Sequence, residues 1–350
     1  MTDLPFVTLI MPVRNEGGFL ARSLDAVLAQ NYPSDRIEVI VADGMSTDNT
    51  RAIVQSLQAQ HPNLQLIDNP LKIAPTGLNA ALRGQIKGEI IIRVDGHCEI
   101  ARDYVSQCVR HLTQENIDGV GGPIETIGHS YAARAIALAM SLPFGVGGSA
   151  FRTVKDRAMF VETVAFPAYT RQAIKRAGLF DEELIRNQDD EYNYRLRERG
   201  GRLLLSPDIR SRYYSRSSLR SLWRQYFQYG YWKVRVMQKH PRQMRVRQFI
   251  PSLFVAALFL SLLLIPLSIA AGWMFALVAG SYVLANLGAC MAAVKGHWRL
   301  LPLLPVVFAT LHLAYGLGFL SGLVGFWNRW ESREDPLNNC QQVQGAEQSQ

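Results

Sequence analysis

Charge is scarce in this 350-residue chain: 19% of it is Asp, Glu, Lys or Arg, below the roughly 25% of an average soluble domain. The deficit is local. No charged residue occurs from Phe249 to Val294 or from Leu300 to Asn328. A bilayer-spanning helix needs about 20 mainly apolar residues, so the first stretch fits two spans and the second fits one. Cysteine is sparse as well. Cys98, Cys108, Cys290 and Cys340 show no paired or metal-like spacing, which removes disulfide and zinc frameworks. No Gly-Lys-Ser/Thr follows Gly145 to Gly148, and no Gly-x-Gly-x-x-Gly opens an early helix, which excludes Walker-type ATPases and dinucleotide enzymes. Met1 to Met11 lacks the basic flank and long apolar core of a secretory signal, so the front of the chain is expected to stay in the cytosol.

The charges that are present favour one topology. Lys233, Arg235, Lys239, Arg242, Arg245 and Arg247 precede the first apolar stretch, and the positive-inside rule puts them on the cytoplasmic side. Three spans return Lys295, His297 and Arg299 to that same side, in agreement with the rule. The net charge of +8 does not point to nucleic acid, because the densest basic run adjoins the membrane segment and interleaves with Trp223, Tyr226, Phe227, Tyr229, Tyr231 and Trp232. Such a run suits a lipid headgroup interface, or a cytosolic helix whose aromatics pack on the domain. The expected division is a cytosolic domain at 1–232, an interfacial segment at 233–248, and a membrane region at 249–328. Its helices are expected near 249–270, 273–294 and 303–327, followed by a polar, disordered tail at 329–350. His312 within the third span has either a packing or a functional role.

In the front domain, strand-like runs at Phe6 to Met11, Ile37 to Ala42, Leu64 to Ile67 and Glu89 to Val94 alternate with helical segments. Alternation of this kind predicts an α/β fold with a mainly parallel sheet covered by helices. Ligands of open sheets bind beyond the carboxyl ends of strands, where Arg14, Asn15, Glu16, Asp43, Asp95 and His97 fall. Asp95-Gly96-His97 offers two donors for a divalent ion bridging a diphosphate, or forms an ordinary turn. Asn187 to Glu191 opens a helix. Its acids either stabilise the helix dipole and pair with Arg195 or Arg199, or supply a general base. Spacing alone does not bring the two clusters together.

From Val7 to about Trp232 the chain resembles the family 2 inverting, nucleotide-sugar-dependent glycosyltransferases of GT-A fold. The resemblance is carried by Met11-Pro12-Val13-Arg14-Asn15-Glu16, by Glu38 to Thr50, by Gly77-Leu78-Asn79-Ala80-Ala81-Leu82, by Arg93 to His97, and by Gln188-Asp189 with Asn193-Tyr194-Arg195-Leu196. Within that family it is most similar to succinoglycan-type exopolysaccharide transferases, which join a similar domain to a few C-terminal spans. The resemblance implies a multi-pass enzyme of the bacterial inner (cytoplasmic) membrane. Its donor would be a UDP-sugar, its acceptor a lipid-linked saccharide, its cofactor Mg or Mn, and its surroundings membrane lipids and glycan-assembly proteins. Carried over by position, Pro12, Asn15 and Glu16 border the nucleobase and ribose, Asp43 binds the uracil side, and Asn79 and Arg83 line the donor region. Asp95 and His97 match the metal motif, with His97 in place of the commoner aspartate, and Asp189 is the base, with Gln188 replacing the family's glutamate. Glu162, Phe166 and Tyr169 would help form the acceptor side, with core packing the alternative for the two aromatics. Gln228-Tyr229-Gly230-Tyr231-Trp232 departs from the Gln-x-x-Arg-Trp of processive synthases, which favours single-sugar transfer. The competing readings are a processive synthase, a metal-dependent phosphohydrolase and a noncatalytic membrane scaffold.

Overall fold

The runs VTLIMPV and IEVIVAD leave almost no polar face for water, and in this computed structural model both are buried strands at the middle of a sheet. The structure describes residues 4–294 and 296–330. In chain order the first half gives β1 (Val7–Val13), α1 (Leu20–Leu28), β2 (Ile37–Asp43), α2 (Thr50–Gln58), β3 (Leu64–Asp68), α3 (Ala74–Arg83), β4 (Ile90–Arg93), β5 (Cys98–Ile100), α4 (Tyr104–Gln114), β6 (Gly119–Gly122) and β7 (Ile124–Ile127). There follow α5 (Tyr131–Met140), the short α6 (Pro143–Val146) and α7 (Ala150–Thr153), β8 (Met159–Phe160), β9 (Ala165–Thr170), α8 (Arg171–Ala177), α9 (Gln188–Glu198), β10 (Leu203–Leu205) and β11 (Ser211–Tyr214). Four long helices close the described chain: α10 (Leu219–Lys239), α11 (Val246–Leu264), α12 (Ile269–Ala293) and α13 (Leu304–Gly325).

The chain divides into two units. The first comprises residues 4–125 and Val154–Tyr213, the second Thr126–Thr153 and residues 214–330. In the first unit, β3-β2-β1-β4-β9-β6-β10-β8 form one sheet, parallel across β3, β2, β1 and β4. The expected alternation is therefore present. Strand β9 interrupts it by running antiparallel to both β4 and β6. Strand β1 extends beyond the expected Met11 through Pro12 to Val13. A proline is tolerated there because the β1–β4 pairing has already ended at Ile10 opposite Arg93. One face of the sheet is sealed where Ile10, Ile40, Ile91, Tyr169 and Leu203 pack with residues of α3, α8 and α9, Tyr192 of α9 among them. Phe166, at φ 46°, and Tyr169 are both buried, and the Tyr169 hydroxyl donates to Asn193 Oδ1 at 2.6 Å.

In the second unit, the segments at Val246–Leu267, Ile269–Ala293 and Leu304–Gly325 are long and apolar enough to cross a membrane, as the charge-free runs imply. Helix α10 begins at Ser218, whose hydroxyl accepts the Ser221 N–H at 3.2 Å. It lies almost backbone to backbone with α13. A Cβ on Gly230 would collide with the Tyr315 carbonyl and one on Gly318 with the Phe227 carbonyl, while one on Gly322 would sit 2.6 Å from the Tyr231 oxygen. Gly318 and Gly322 thus form a small-residue seam of the kind that lets helices approach closely. The aromatics Tyr231 and Trp232 pack on Phe326 at centroid distances of 4.8 and 5.4 Å. Both nitrogens of His312 are engaged, Nε2 with the Phe144 carbonyl at 2.7 Å and Nδ1 with the Tyr282 hydroxyl at 3.0 Å. Packing accounts for this residue. The tail beyond residue 330, Cys340 and Lys295 lie outside the described residues.

Because the seam leaves no room for a side chain, Gly318→Val is expected to destabilise the protein by about 1–3 kcal/mol through overpacking. The loss is readable as a lower melting temperature in detergent. Unchanged melting would show that α10 and α13 are not in close contact.

Candidate active site

Parallel register sets the geometry of the site. β1 lies between β2 and β4, with Val13 opposite Asp43 and Ile10 opposite Arg93, so the chain leaves three adjacent strands at the same edge of the sheet. Asp95 lies two residues past the end of β4. Its Oδ1 accepts from Arg93 Nη2 at 3.0 Å and from Nε at 3.2 Å. Burial alone would push the Asp95 carboxyl up. The positive charge and hydrogen bonds of Arg93, with the field of Arg186, outweigh that and hold it below its ordinary range. Burial likewise disfavours the Arg93 cation, yet the fields of Asp95 and Asp189 carry its pKa above the usual guanidinium value. Arg93 therefore sits in the fields of both the expected metal ligand and the expected base.

Asp189 occupies the first turn of α9, behind Asn187 in the left-handed conformation at φ 62°. Its Oδ1 accepts the Asp190 N–H at 3.0 Å, and the helix N-terminus favours its negative charge. Of the three adjacent acids, Glu191 does a different job. It is fully buried and grips Arg195 through two hydrogen bonds of 2.9 and 3.0 Å, and Arg195 also donates to the Ala177 carbonyl. The arginine ring-stacks on Tyr192 at 5.2 Å. Arg195, held by Glu191, thus ties α9 to the end of α8, while Asp189 is partly exposed.

The loop after β1 interlocks with the loop after β2. Asn15, at φ 53°, accepts the Thr47 N–H at 2.8 Å and donates its own N–H to Ser46 Oγ at 2.9 Å. Half-buried Pro12 is in register with Ala42. The Glu16 N–H donates to Thr50 Oγ1 at 2.9 Å, and its side chain meets His97 Nδ1 at 3.0 Å. The fully buried Asp43 carboxylate accepts from Ser46 N–H and from Arg51, at 2.8 Å for the latter, and Arg51 also reaches Asp68 at 2.8 Å. Asn79 and Arg83 are directed elsewhere. Asn79 accepts the Phe180 N–H and donates to the Phe180 carbonyl and to Glu182, each at 2.8 Å, and Arg83 pairs with Glu182 at 2.9 Å. Their polar groups anchor α3 to the segment that leads into α9.

A divalent cation fits the residues present. Both hydrogen bonds from Arg93 fall on one oxygen of Asp95, leaving Oδ2 to a cation, and His97 has one nitrogen engaged and one remaining. Among the described residues no group of three His, Cys, Asp or Glu forms a complete cage, so the substrate must supply further ligands. Arg93 and Arg51 received no role from spacing alone. Arg93 carried a signal, as a lone charge in the apolar run from Ile90 to Val94.

The glycosyl transferase family 2 model matches residues 8–178. The succinoglycan biosynthesis protein ExoA of Rhizobium meliloti is 30% identical over 329 residues, 92% of this chain and 96% of that protein. The chain belongs to glycosyl transferase family 2. A second relative, from Methanococcus voltae, is a dolichyl N-acetyl-alpha-D-glucosaminyl phosphate 3-beta-D-2,3-diacetamido-2,3-dideoxy-beta-D-glucuronosyltransferase. It is 29% identical over 242 residues, 67% of this chain and 74% of its own length. Among solved structures, the mannosyltransferase PcManGT of Pyrobaculum calidifontis, in complex with GDP-Man and Mn2+, superposes with a TM-score of 0.57 at 22% identity. The match covers 91% of this chain and 88% of that one. S. aureus TarS 1–349 gives a TM-score of 0.51 at 16% identity, with 91% and 92% covered. These two likenesses establish the GT-A-like fold. This family 2 chain is a membrane-associated, nucleotide-sugar-dependent inverting glycosyltransferase, a multi-pass protein with a cytosolic catalytic domain.

Glu191→Leu leaves the Arg195 charge buried without its partner, and is expected to cost about 3–5 kcal/mol, seen as a lower melting temperature. Adding Arg195→Met should recover part of the loss, since an apolar pair carries no stranded charge. A single variant that melts like wild type would remove the buried pair from the account.

Proposed function

We propose that the protein transfers one sugar per encounter, with inversion, from a UDP-sugar to a lipid-linked saccharide at the cytosolic face of a bacterial inner membrane. The pathway we propose is the building of exopolysaccharide or a related glycan. The observation that supports this reading is that Arg93 is paired with Asp95 and lies within the electrostatic reach of Asp189, the two residues we assign as cation ligand and base. The similarity to a succinoglycan biosynthesis protein along nearly its whole length supports the exopolysaccharide role. The GDP-Man and Mn2+ of PcManGT support a nucleotide diphosphate donor used with a divalent cation.

Asp189 accepts the proton of the acceptor hydroxyl as that oxygen forms its bond to the anomeric carbon. The bond from that carbon to the diphosphate oxygen breaks on the opposite side, its electron pair leaving with the diphosphate. Asp95 and His97 would hold a divalent cation, which when bound would supply electrostatic stabilisation of the departing negative charge. Arg93 fixes the Asp95 carboxylate, so little reorganisation is needed as charge develops. Pro12, Asn15, Glu16 and Asp43 border the nucleoside side, with the two interlocked loops forming its wall. Asn79 and Arg83 support the donor region by holding Phe180 and Glu182.

Membranes containing the enzyme, incubated with a panel of UDP-sugars and lipid-linked acceptors, should give a product one sugar heavier by mass spectrometry. Asp189→Asn is expected to lower transfer by about 10²–10⁴-fold while UDP binding is retained, the range for loss of a general base. Equal turnover by that variant would reject the assignment. A ladder of long products would replace single-sugar transfer with processive synthesis.

A further inference from the structure

Glu16 has a contact that a nucleoside-binding role does not explain. Its carboxylate lies 3.0 Å from His97 Nδ1, with only 23% of its side chain and 17% of the histidine's exposed. An ionised carboxylate can only accept hydrogen bonds. In neutral His97 the contact is therefore a hydrogen bond only when the proton is on Nδ1, and the lone pair is then on Nε2. We propose that Glu16 is a positioning residue for the cation site, fixing the tautomer and orientation of His97 so that Nε2 is presented as a metal donor. This rests on the reading of Asp95 and His97 as the ligands.

Three further features hold the pair in place. The Glu16 backbone is fixed at both ends: its N–H donates to Thr50 Oγ1 at 2.9 Å, and its carbonyl accepts the Phe19 and Leu20 N–H groups at 2.9 and 2.8 Å. On the other side, the Tyr213 ring meets the imidazole edge to face at a centroid distance of 5.1 Å. Tyr213 is placed by the β11–β5 pairing, where it lies opposite Cys98, the neighbour of His97. Between the two ligands, Gly96 has no side chain, and a Cβ there would lie 3.0 Å from Val13 Cγ1 and 3.1 Å from Glu16 Cγ. The glycine of Asp95-Gly96-His97 thus makes room for the Glu16 side chain to reach the histidine. Metal-bound histidines commonly donate their second ring N–H to a carboxylate, which fixes the ring and raises its basicity. Glu16, His97 and Gly96 reproduce that arrangement.

The test is a Mn2+ titration of the full-length protein in detergent with saturating UDP, following free Mn2+ by electron paramagnetic resonance, together with UDP binding measured in EDTA. Glu16→Ala should weaken Mn2+ binding by about 10–100-fold, the usual cost of losing such a partner. Glu16→Gln, whose amide oxygen still accepts from Nδ1–H, should lose less. Both should fold and lose Mn2+ affinity by more than any loss of UDP binding measured in EDTA. In pulsed measurements the histidine nitrogen coupling to bound Mn2+ should be present in wild type and diminished in Glu16→Ala. Wild-type Mn2+ affinity in Glu16→Ala, with loss in His97→Ala, would overturn the positioning role and leave the metal site standing. A matching loss of UDP binding in EDTA would make Glu16 a nucleotide contact instead. Wild-type Mn2+ affinity in both Asp95→Ala and His97→Ala would remove the underlying metal assignment.

Discussion

A buried arginine at the carboxyl edge of a parallel sheet organises the catalytic unit. Arg93 is largely withdrawn from water, so its charge requires carboxylates close by, and the structure supplies Asp95 directly and Asp189 through its field. Those two acids come from segments about ninety residues apart in the chain. The sheet makes the meeting unavoidable: β1 carries β2 on one side and β4 on the other, while β9, beside β4, leads through α8 to α9. Site geometry thus follows from strand order.

Around this centre the polar groups divide between support and chemistry. Glu191 and Arg195 neutralise one another inside the protein, and Asn79 with Arg83 binds the segment from Phe180 to Glu182. These contacts hold α9, and hence Asp189, against the sheet. The loops after β1 and β2 secure each other through Asn15, Ser46 and Thr47. In the second unit a glycine seam brings α10 against α13, joining a basic, aromatic helix to one of the apolar helices.

Much of this was legible in the amino-acid sequence. Apolar runs alternating with amphipathic stretches mark β1 to β4 and α1 to α4 within a few residues, and the charge-free segments mark the three long apolar helices. The antiparallel β9 was not legible, because a short apolar strand carries no sign of its direction. The three consecutive acids from Asp189 to Glu191 could not be separated either. Their difference lies in burial, which depends on the partner helix and not on local spacing. Asn79 belongs to a family motif, yet its hydrogen bonds run to a segment a hundred residues later, a pairing no local pattern reveals.

The roles of Asp43, Asp95, His97 and Asp189 are decided most directly by where a sugar nucleotide and its cation bind. An anomalous-scattering map of the full-length protein with UDP and Mn2+ measures this. The expected result is a manganese peak joining Asp95, His97 and the diphosphate, with Asp189 facing the sugar pocket and uracil beside Asp43. A peak remote from Asp95, or a nucleotide bound away from the carboxyl ends of β1, β2 and β4, would contradict it.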